Sequence, residues 1–169
     1  ILDAARLLKD ECPELHFLFL GEGKDELYLK QLAKDLQNVT FEGHKQNIAD
    51  YLSALDLFVF PSLNEGLGSV LLDVMRFNVP VIATEIGGIP DIVKHEETGL
   101  LIPADNAQEL SRAIKALYES DDKRESLAAS ASDFCKDFTA EKITERHIHF
   151  YRELIKPEKQ LVVEGAGQV

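Results

Sequence analysis

The run Pro61-Ser62-Leu63-Asn64-Glu65-Gly66-Leu67-Gly68-Ser69-Val70-Leu71-Leu72-Asp73-Val74-Met75 decides how this chain is interpreted. It follows the apolar segment Leu57–Phe60 and leads into apolar residues at helical spacing, which predicts a strand, a turn and a helix that begins near Gly68. In α/β proteins such a turn lies at the carboxyl end of a strand and faces the first N–H groups of a helix, where ligands bind. The turn is therefore a candidate ligand site.

The charged side chains of this run are two carboxylates, Glu65 in the turn and Asp73 on the following helix. Two carboxylates beside a helix N-terminus suit a ligand that carries several hydroxyl groups and a negative charge. Each acid also has a plain structural explanation. Glu65 would serve as a helix cap on a surface turn, and Asp73 would pair with Arg76 three residues later. The setting of Glu65 between a proline and two glycines favours a site.

Composition excludes several classes of function. The chain has 169 residues, 45% hydrophobic and 28% charged, which predicts one domain with a sizeable core. Its net charge of −12 argues against binding to nucleic acid or to an anionic membrane surface. No apolar run approaches the roughly 20 residues of a membrane helix. Cys12 and Cys135 are isolated, which gives no disulfide framework or metal site and favours a reducing cytoplasm as the location.

Alternating strand and helix patterns predict an α/β fold with a Rossmann-like, doubly wound parallel sheet over residues 1–155 and a helical C-terminal end, followed by a tail at 156–169. The predicted strands are 15–20, 39–42, 57–60, 80–84 and 98–103. The predicted helices are one ending near Cys12, then 25–36, 48–54, the helix of the opening run, 89–93, 107–118, 123–134 and 141–155. Because Ile1 already lies in helical phase, we expect a fragment of a longer protein.

Glycine turns follow several of these strands, where ligands of doubly wound sheets bind. Gly21-Glu22-Gly23 lacks the third glycine of the dinucleotide motif, because Glu26 occupies that position, so a NAD site is not predicted. Gly87-Gly88 permits close backbone approach and would leave N–H groups for a phosphate, although an ordinary turn is the alternative. His44 and Lys45 lie in the loop after the second strand and are candidates for lining a ligand crevice, with a merely exposed loop histidine as the alternative.

These motifs together resemble the donor-binding C-terminal domain of the GT-B retaining glycosyltransferases, family four (group 1), from Ile1 to about Ile155. The residues that carry the resemblance are Phe17-Leu18-Phe19-Leu20-Gly21-Glu22-Gly23, Val39-Thr40-Phe41-Glu42-Gly43, Phe60-Pro61-Ser62, Glu65-Gly66-Leu67-Gly68, Pro80-Val81-Ile82-Ala83-Thr84, Gly87-Gly88 and Thr98-Gly99-Leu100-Leu101.

The resemblance implies transfer of a hexosyl group from a UDP- or GDP-linked sugar to a glycan or lipid-linked acceptor. It implies a location in the cytoplasm or, for the full-length enzyme, at the inner face of the membrane. It implies that Glu65 is catalytic and lies beside the transferred sugar, and that Asp73 binds the nucleotide ribose. No metal and no cofactor other than the nucleotide-sugar itself is implied. The remaining donor-binding residues implied are Gly66, Leu67, Gly68, Gly21, Gly23, Gly43, His44, Lys45, Gly87 and Gly88.

The chain departs from the family pattern at four positions: Asp73 replaces a glutamate, Leu67 a phenylalanine, Asn78 a glycine and Asp91 a glutamate. Two alternatives therefore stay open, a sugar-nucleotide epimerase of the same fold and a non-catalytic nucleotide-sugar-binding module.

The resemblance also implies parts that this chain lacks. They are a central first strand, an Arg and Lys pair that clamps the diphosphate, and an N-terminal domain that binds the acceptor. We therefore expect no sugar transfer from these 169 residues alone. The missing strand would leave two sheet edges that pair directly or attract other chains, and Leu161-Val162-Val163 is one segment that would fill the gap.

Overall fold

A computed structural model describes residues 1–155 of the chain. The strands are β1 (Phe17–Leu20), β2 (Val39–Gly43), β3 (Phe58–Phe60), β4 (Val81–Thr84) and β5 (Leu100–Ile102). The helices are α1 (Leu2–Leu8), α2 (Glu26–Leu32) with a 3-10 turn at Ala33–Asp35, α3 (Ile48–Ser53), α4 (Val70–Arg76), α5 (Ile89–Ile92), α6 (Ala107–Tyr118), α7 (Asp121–Cys135) and α8 (Ala140–Leu154). The chain divides into two compact units, Ile1–Lys136 and the residues from Asp137 onwards.

All strand pairs in the first unit are parallel, so the predicted α/β architecture is confirmed. β1 pairs with β2, and β3, β4 and β5 pair in that order. Among the described residues the two groups share no hydrogen-bonded strand pair, so the strands form two small sheets instead of one. The two edges expected from the resemblance therefore do not pair directly.

A cavity of about 580 Å³ is lined by one strand of each sheet, with all of β1 and with Phe58 and Val59 of β3. Every residue of β1 and β3 is only half-buried, whereas every residue of β4 is buried. The strands that line the cavity thus have an open edge. The segment Leu161–Val163, suggested as a filler, and the whole predicted tail lie outside the described residues.

One face of helix α4 packs into the hydrophobic core. Leu71, Val74 and Met75 are fully buried in a cluster with residues of β4 and α5. The helix is followed by its C-cap Phe77 and then by Asn78, which adopts a left-handed φ of 58°. The N–H of Asn78 donates to the Met75 carbonyl, and the N–H of Val79 donates to the Val74 carbonyl. This is a Schellman ending, and it explains why asparagine replaces the expected glycine: both residues tolerate that φ.

The second unit, within the described residues, is built on α8. Its N-cap is Thr139, whose side chain accepts a hydrogen bond from the Lys142 N–H. None of the residues of α8 is buried, and Phe150, Tyr151 and Leu154 are exposed apolar side chains on it. Across residues 1–155, the helices are all too short or too polar to cross a bilayer.

Candidate functional site

The loop between β3 and α4 carries Glu65, the acid that sequence analysis ranked first. The side chain is half-buried, and its Oε1 accepts a hydrogen bond of 3.0 Å from the N–H of Gly66. Helix α4 begins at Val70, about two residues later than predicted, and its N-cap is Ser69. Glu65 therefore does not cap this helix, and its carboxylate instead accepts a hydrogen bond from an amide of its own loop.

The turn after β4 packs directly against this loop. A Cβ on Gly87 would lie 2.0 Å from the Glu65 carbonyl oxygen, and one on Gly88 would lie 2.7 Å from the Gly66 carbonyl oxygen. The N–H of Gly88 donates to that Gly66 carbonyl over 2.7 Å. The glycine pair thus permits two backbones to touch, as glycine uniquely does.

The same contacts give two of the predicted amides internal partners. The N–H of Gly66 donates to the Glu65 carboxylate and the N–H of Gly88 donates to the Gly66 carbonyl, so both are hydrogen-bonded within the chain. Gly68 contributes by packing: it is buried with φ +72°, and a Cβ there would lie 3.2 to 3.4 Å from Leu71, Ile89 and Phe60. Leu67 is half-exposed beside it, and both Leu67 and the more exposed Leu63 present apolar surface on this loop.

Thr84 is a residue of this site that sequence analysis missed. It is the last residue of β4, it is 1% exposed, and its hydroxyl donates to the Ser62 carbonyl over 2.7 Å. The signal in the sequence was a single polar residue closing an otherwise apolar strand, Val81 to Ala83. Burial of a hydroxyl is unfavourable unless it is hydrogen-bonded, which indicates a specific partner.

Asp73 lies in the first turn of α4 and is exposed. Within residues 1–155 it forms no ion pair with Arg76, so the plain explanation for this acid is also absent from the structure. The Asp73 carboxylate also acts on Cys135 of α7: burial raises the pKa of that thiol most, Arg76 lowers it and Asp73 raises it further. No hydrogen bond in the described part of the chain joins Asp73 to Glu65.

A second group of predicted residues meets at the ends of β1 and β2. The N–H of Gly21 donates to the Gly43 carbonyl over 2.8 Å, with φ of 118° at Gly21 and 67° at Gly43. Glu22 then reaches across, because its Oε1 accepts from the His44 N–H over 3.4 Å. Gly23 is exposed, with no atom within 4 Å of a Cβ placed on it. The two loops therefore form one rim.

Lys45 of this rim is held by two residues that sequence analysis did not single out, Glu42 and Tyr51. Its Nζ lies 2.7 Å from Glu42 Oε2 and 5.6 Å from the centroid of the Tyr51 ring, and the Tyr51 hydroxyl donates to Glu42 over 3.2 Å. The Lys45 ammonium and then the Tyr51 hydroxyl lower the pKa of Glu42, and the Glu42 carboxylate raises the pKa of Lys45. The predicted crevice-lining lysine is thus held by a carboxylate at the end of β2 and by an aromatic ring of α3.

The structure brings the predicted residues together in two groups. One is the Glu65 loop with the glycine pair, and the other is the rim at β1 and β2. No hydrogen bond or ion pair joins the two groups in the described part of the chain. Residues 1–155 also contain no cluster of three or more His, Cys, Asp or Glu side chains suited to a metal ion.

Comparison with known proteins shows the family. The model of the glycosyl transferases group 1 matches residues 1–134. The N-acetyl-alpha-D-glucosaminyl L-malate synthase of Bacillus anthracis is 31% identical over 146 residues, which cover 84% of this chain and 38% of that protein. The lipopolysaccharide core biosynthesis mannosyltransferase LpsB of Rhizobium meliloti is 35% identical, with 83% of this chain and 40% of that protein covered. The chain thus spans about two-fifths of these curated relatives.

Solved structures share the fold. The C-terminal domain of the group 1 family protein LpcC from Francisella tularensis gives a TM-score of 0.73 at 25% identity, covering 84% of this chain and 77% of that one. HepE from Anabaena, solved in complex with UDP and glucose, gives 0.78 at 23% identity, covering 89% of this chain and 44% of that one. With a family model matched over 134 residues, this chain belongs to the glycosyl transferases group 1 family.

Proposed function

We propose that this chain is the donor-binding domain of a retaining glycosyltransferase, which moves a hexosyl group from a nucleoside-diphosphate sugar to a glycan or lipid-linked acceptor. Family membership supports sugar transfer in general. The observation that carries the finer proposal is the fixed position of Glu65 at the carboxyl ends of β3 and β4. A carboxylate on a loop held this tightly suits a group that must keep its orientation during a reaction.

Glu65 is suited to the sugar and not to the diphosphate, because two negative charges in one pocket repel. Its Oε1 accepts one hydrogen bond from the neighbouring amide, which leaves further acceptor sites on the carboxylate for sugar hydroxyls. As the bond between sugar and diphosphate breaks, positive charge develops on the sugar ring. A carboxylate held beside the ring stabilises that charge more strongly in the transition state than in the ground state.

Asp73 is proposed to accept hydrogen bonds from the ribose hydroxyls. Its carboxylate is exposed and free of an ion pair with Arg76, so binding a diol does not require breaking an internal contact. The rim at Gly21–Gly23 and Gly43–Lys45 is proposed to flank the base and ribose. The nucleotide-sugar enters this proposal as a substrate, and no further cofactor is invoked.

The test uses the full-length protein with a panel of UDP- and GDP-sugars, with binding followed by calorimetry and transfer by product formation. Glu65→Gln keeps the size of the side chain and removes its charge, and we expect transfer to fall about 100-fold while the donor still binds. Glu97→Gln, a change at an exposed acid in the loop before β5, is the matched control and should transfer sugar normally. Normal transfer by Glu65→Gln would overturn the assignment, and turnover of the donor without any acceptor would favour an epimerase.

A further inference from the structure

We propose that Thr84 is a positioning residue for Glu65: its buried hydroxyl fixes one end of the acid-bearing loop and so sets the rate of the chemical step. This inference rests on the proposed function, because the effect is on the transfer reaction. Thr84 itself does not contact the substrate in this proposal. It acts through the backbone of Ser62.

The geometry that points to this role is a pair of anchors on either side of Glu65. Thr84 Oγ1 donates to the Ser62 carbonyl over 2.7 Å, and the Gly88 N–H donates to the Gly66 carbonyl over 2.7 Å. Both donors come from the end of β4 and the turn that follows it. The short span between the two anchored carbonyls contains Glu65, whose carboxylate is held in turn by the Gly66 N–H.

The hydroxyl of Thr84 has no other evident role. The strand needs no side-chain hydrogen bond, because β4 pairs through its backbone with β3 and with β5, and Val81 to Ala83 before it are apolar and buried. A valine would fill the same space. A threonine at this place therefore supplies one thing that a valine lacks, a donor for the carbonyl of Ser62.

Loss of that donor should affect catalysis more than binding. Without the hydroxyl the segment 62–66 keeps the hydrogen bond at the Gly66 carbonyl but loses the one at the Ser62 carbonyl, so the carboxylate of Glu65 gains freedom to move relative to the sugar. A displacement of about 1 Å in a reacting geometry lowers rates by up to 100-fold. Asp73 lies on α4 and does not depend on this anchor, so donor binding should change little.

The test measures initial rates of transfer by the full-length protein against donor concentration. For Thr84→Val we expect kcat to fall about 10- to 100-fold with the donor KM within about twofold, and for Thr84→Ser, which keeps the hydroxyl, near-normal kcat. The matched control is Thr98→Val, which removes another buried hydroxyl: Thr98 is 5% exposed and its Oγ1 accepts from the Lys94 N–H over 2.8 Å, away from the site. Equal kcat in Thr84→Val and Thr98→Val would overturn the proposal, as would an equal loss in Thr84→Ser.

Amide hydrogen exchange separates this proposal from the proposed function. Peptides covering residues 62–68 should exchange faster in Thr84→Val than in Thr84→Ser or Thr98→Val, whatever reaction the protein catalyses. A wild-type protein that transfers no sugar from any donor would refute the proposed function, whereas unchanged exchange in this segment would refute the anchor. If Thr84→Val does not fold, Thr84→Cys takes its place, because a thiol is a weak donor; normal kcat in Thr84→Cys would then contradict the proposal.

Discussion

Gly87→Ala is the sharpest test of how the site is built, since it adds a single methyl group where two backbones touch. The φ of +52° at Gly87 is left-handed, which costs an L-residue about 1–2 kcal/mol. The new Cβ would also lie 2.0 Å from the carbonyl oxygen of Glu65, whereas contacts under 3.0 Å are essentially never seen. The loop that carries Glu65 must therefore move away by about 1 Å, and overpacking of this kind costs about 1–3 kcal/mol.

Together these two terms predict a loss of about 2–5 kcal/mol in the free energy of unfolding. Because the displaced atoms belong to the backbone of Glu65, we also expect kcat for sugar transfer to fall about 100-fold. Both quantities are measured on the full-length protein, the first by urea denaturation and the second by initial rates at saturating donor.

Gly23→Ala is the control for stability. A Cβ at Gly23 meets no atom within 4 Å, and its φ is not in the left-handed region, so stability should change by less than about 1 kcal/mol. If Gly87→Ala were as stable as Gly23→Ala and also retained wild-type kcat, the contact between the two loops would have no part in holding Glu65.

Three further changes probe other parts of the molecule. Asp73→Asn should leave the unfolding free energy within about 0.5 kcal/mol, because the side chain is exposed, yet weaken donor binding about tenfold by calorimetry; an unchanged Kd would contradict the ribose role. Met75→Ala removes a fully buried side chain and should destabilise the protein by about 2–5 kcal/mol in urea denaturation. Glu42→Gln removes a carboxylate whose pKa is held below its ordinary value by Lys45 and then Tyr51, so its stabilising contribution is fully present above the ordinary pKa and is lost as pH falls through the lowered pKa. The difference in Tm between wild type and Glu42→Gln should therefore shrink in acid, and an equal difference at about pH 7 and about pH 3 would contradict the pairing.

The spacing of apolar residues was sufficient to predict the elements of the fold. Most elements contribute to the hydrophobic clusters, whereas α2 and α8 contain no buried residue and were still predicted. Helix α6 has the predicted bounds, and β4 begins one residue later than predicted. Helix α7 begins two residues earlier than predicted, since Ser120 caps it by accepting from the Lys123 N–H. A serine followed by acidic residues is a typical helix N-terminus, and it would have predicted the correct first residue of α7. The apolar pattern alone predicted a helix that begins too late.

The contacts that organise the site could not be predicted in the same way. Glu65 was found because an acid between glycines at a strand end is unusual, but the partners of its loop come from residues about 22 positions later, Thr84 and Gly88. Sequence spacing does not encode which backbone groups meet across two loops. For that reason Gly88 was predicted to offer an amide to a ligand, whereas packing assigns this amide to Gly66.

The apolar pattern alone does not predict how deeply each strand is buried. Phe17–Leu20 and Phe58–Phe60 are as apolar as β4, and by pattern alone all three strands would be buried on every side. Only β4 is, because β1 and β3 each have a single paired edge and face the cavity of about 580 Å³ on the other. The apolar surface of these strands exceeds what the described residues cover. We expect that the central strand implied by the resemblance fills this cavity, pairs with both edges and buries the side chains that the apolar pattern predicts to be core.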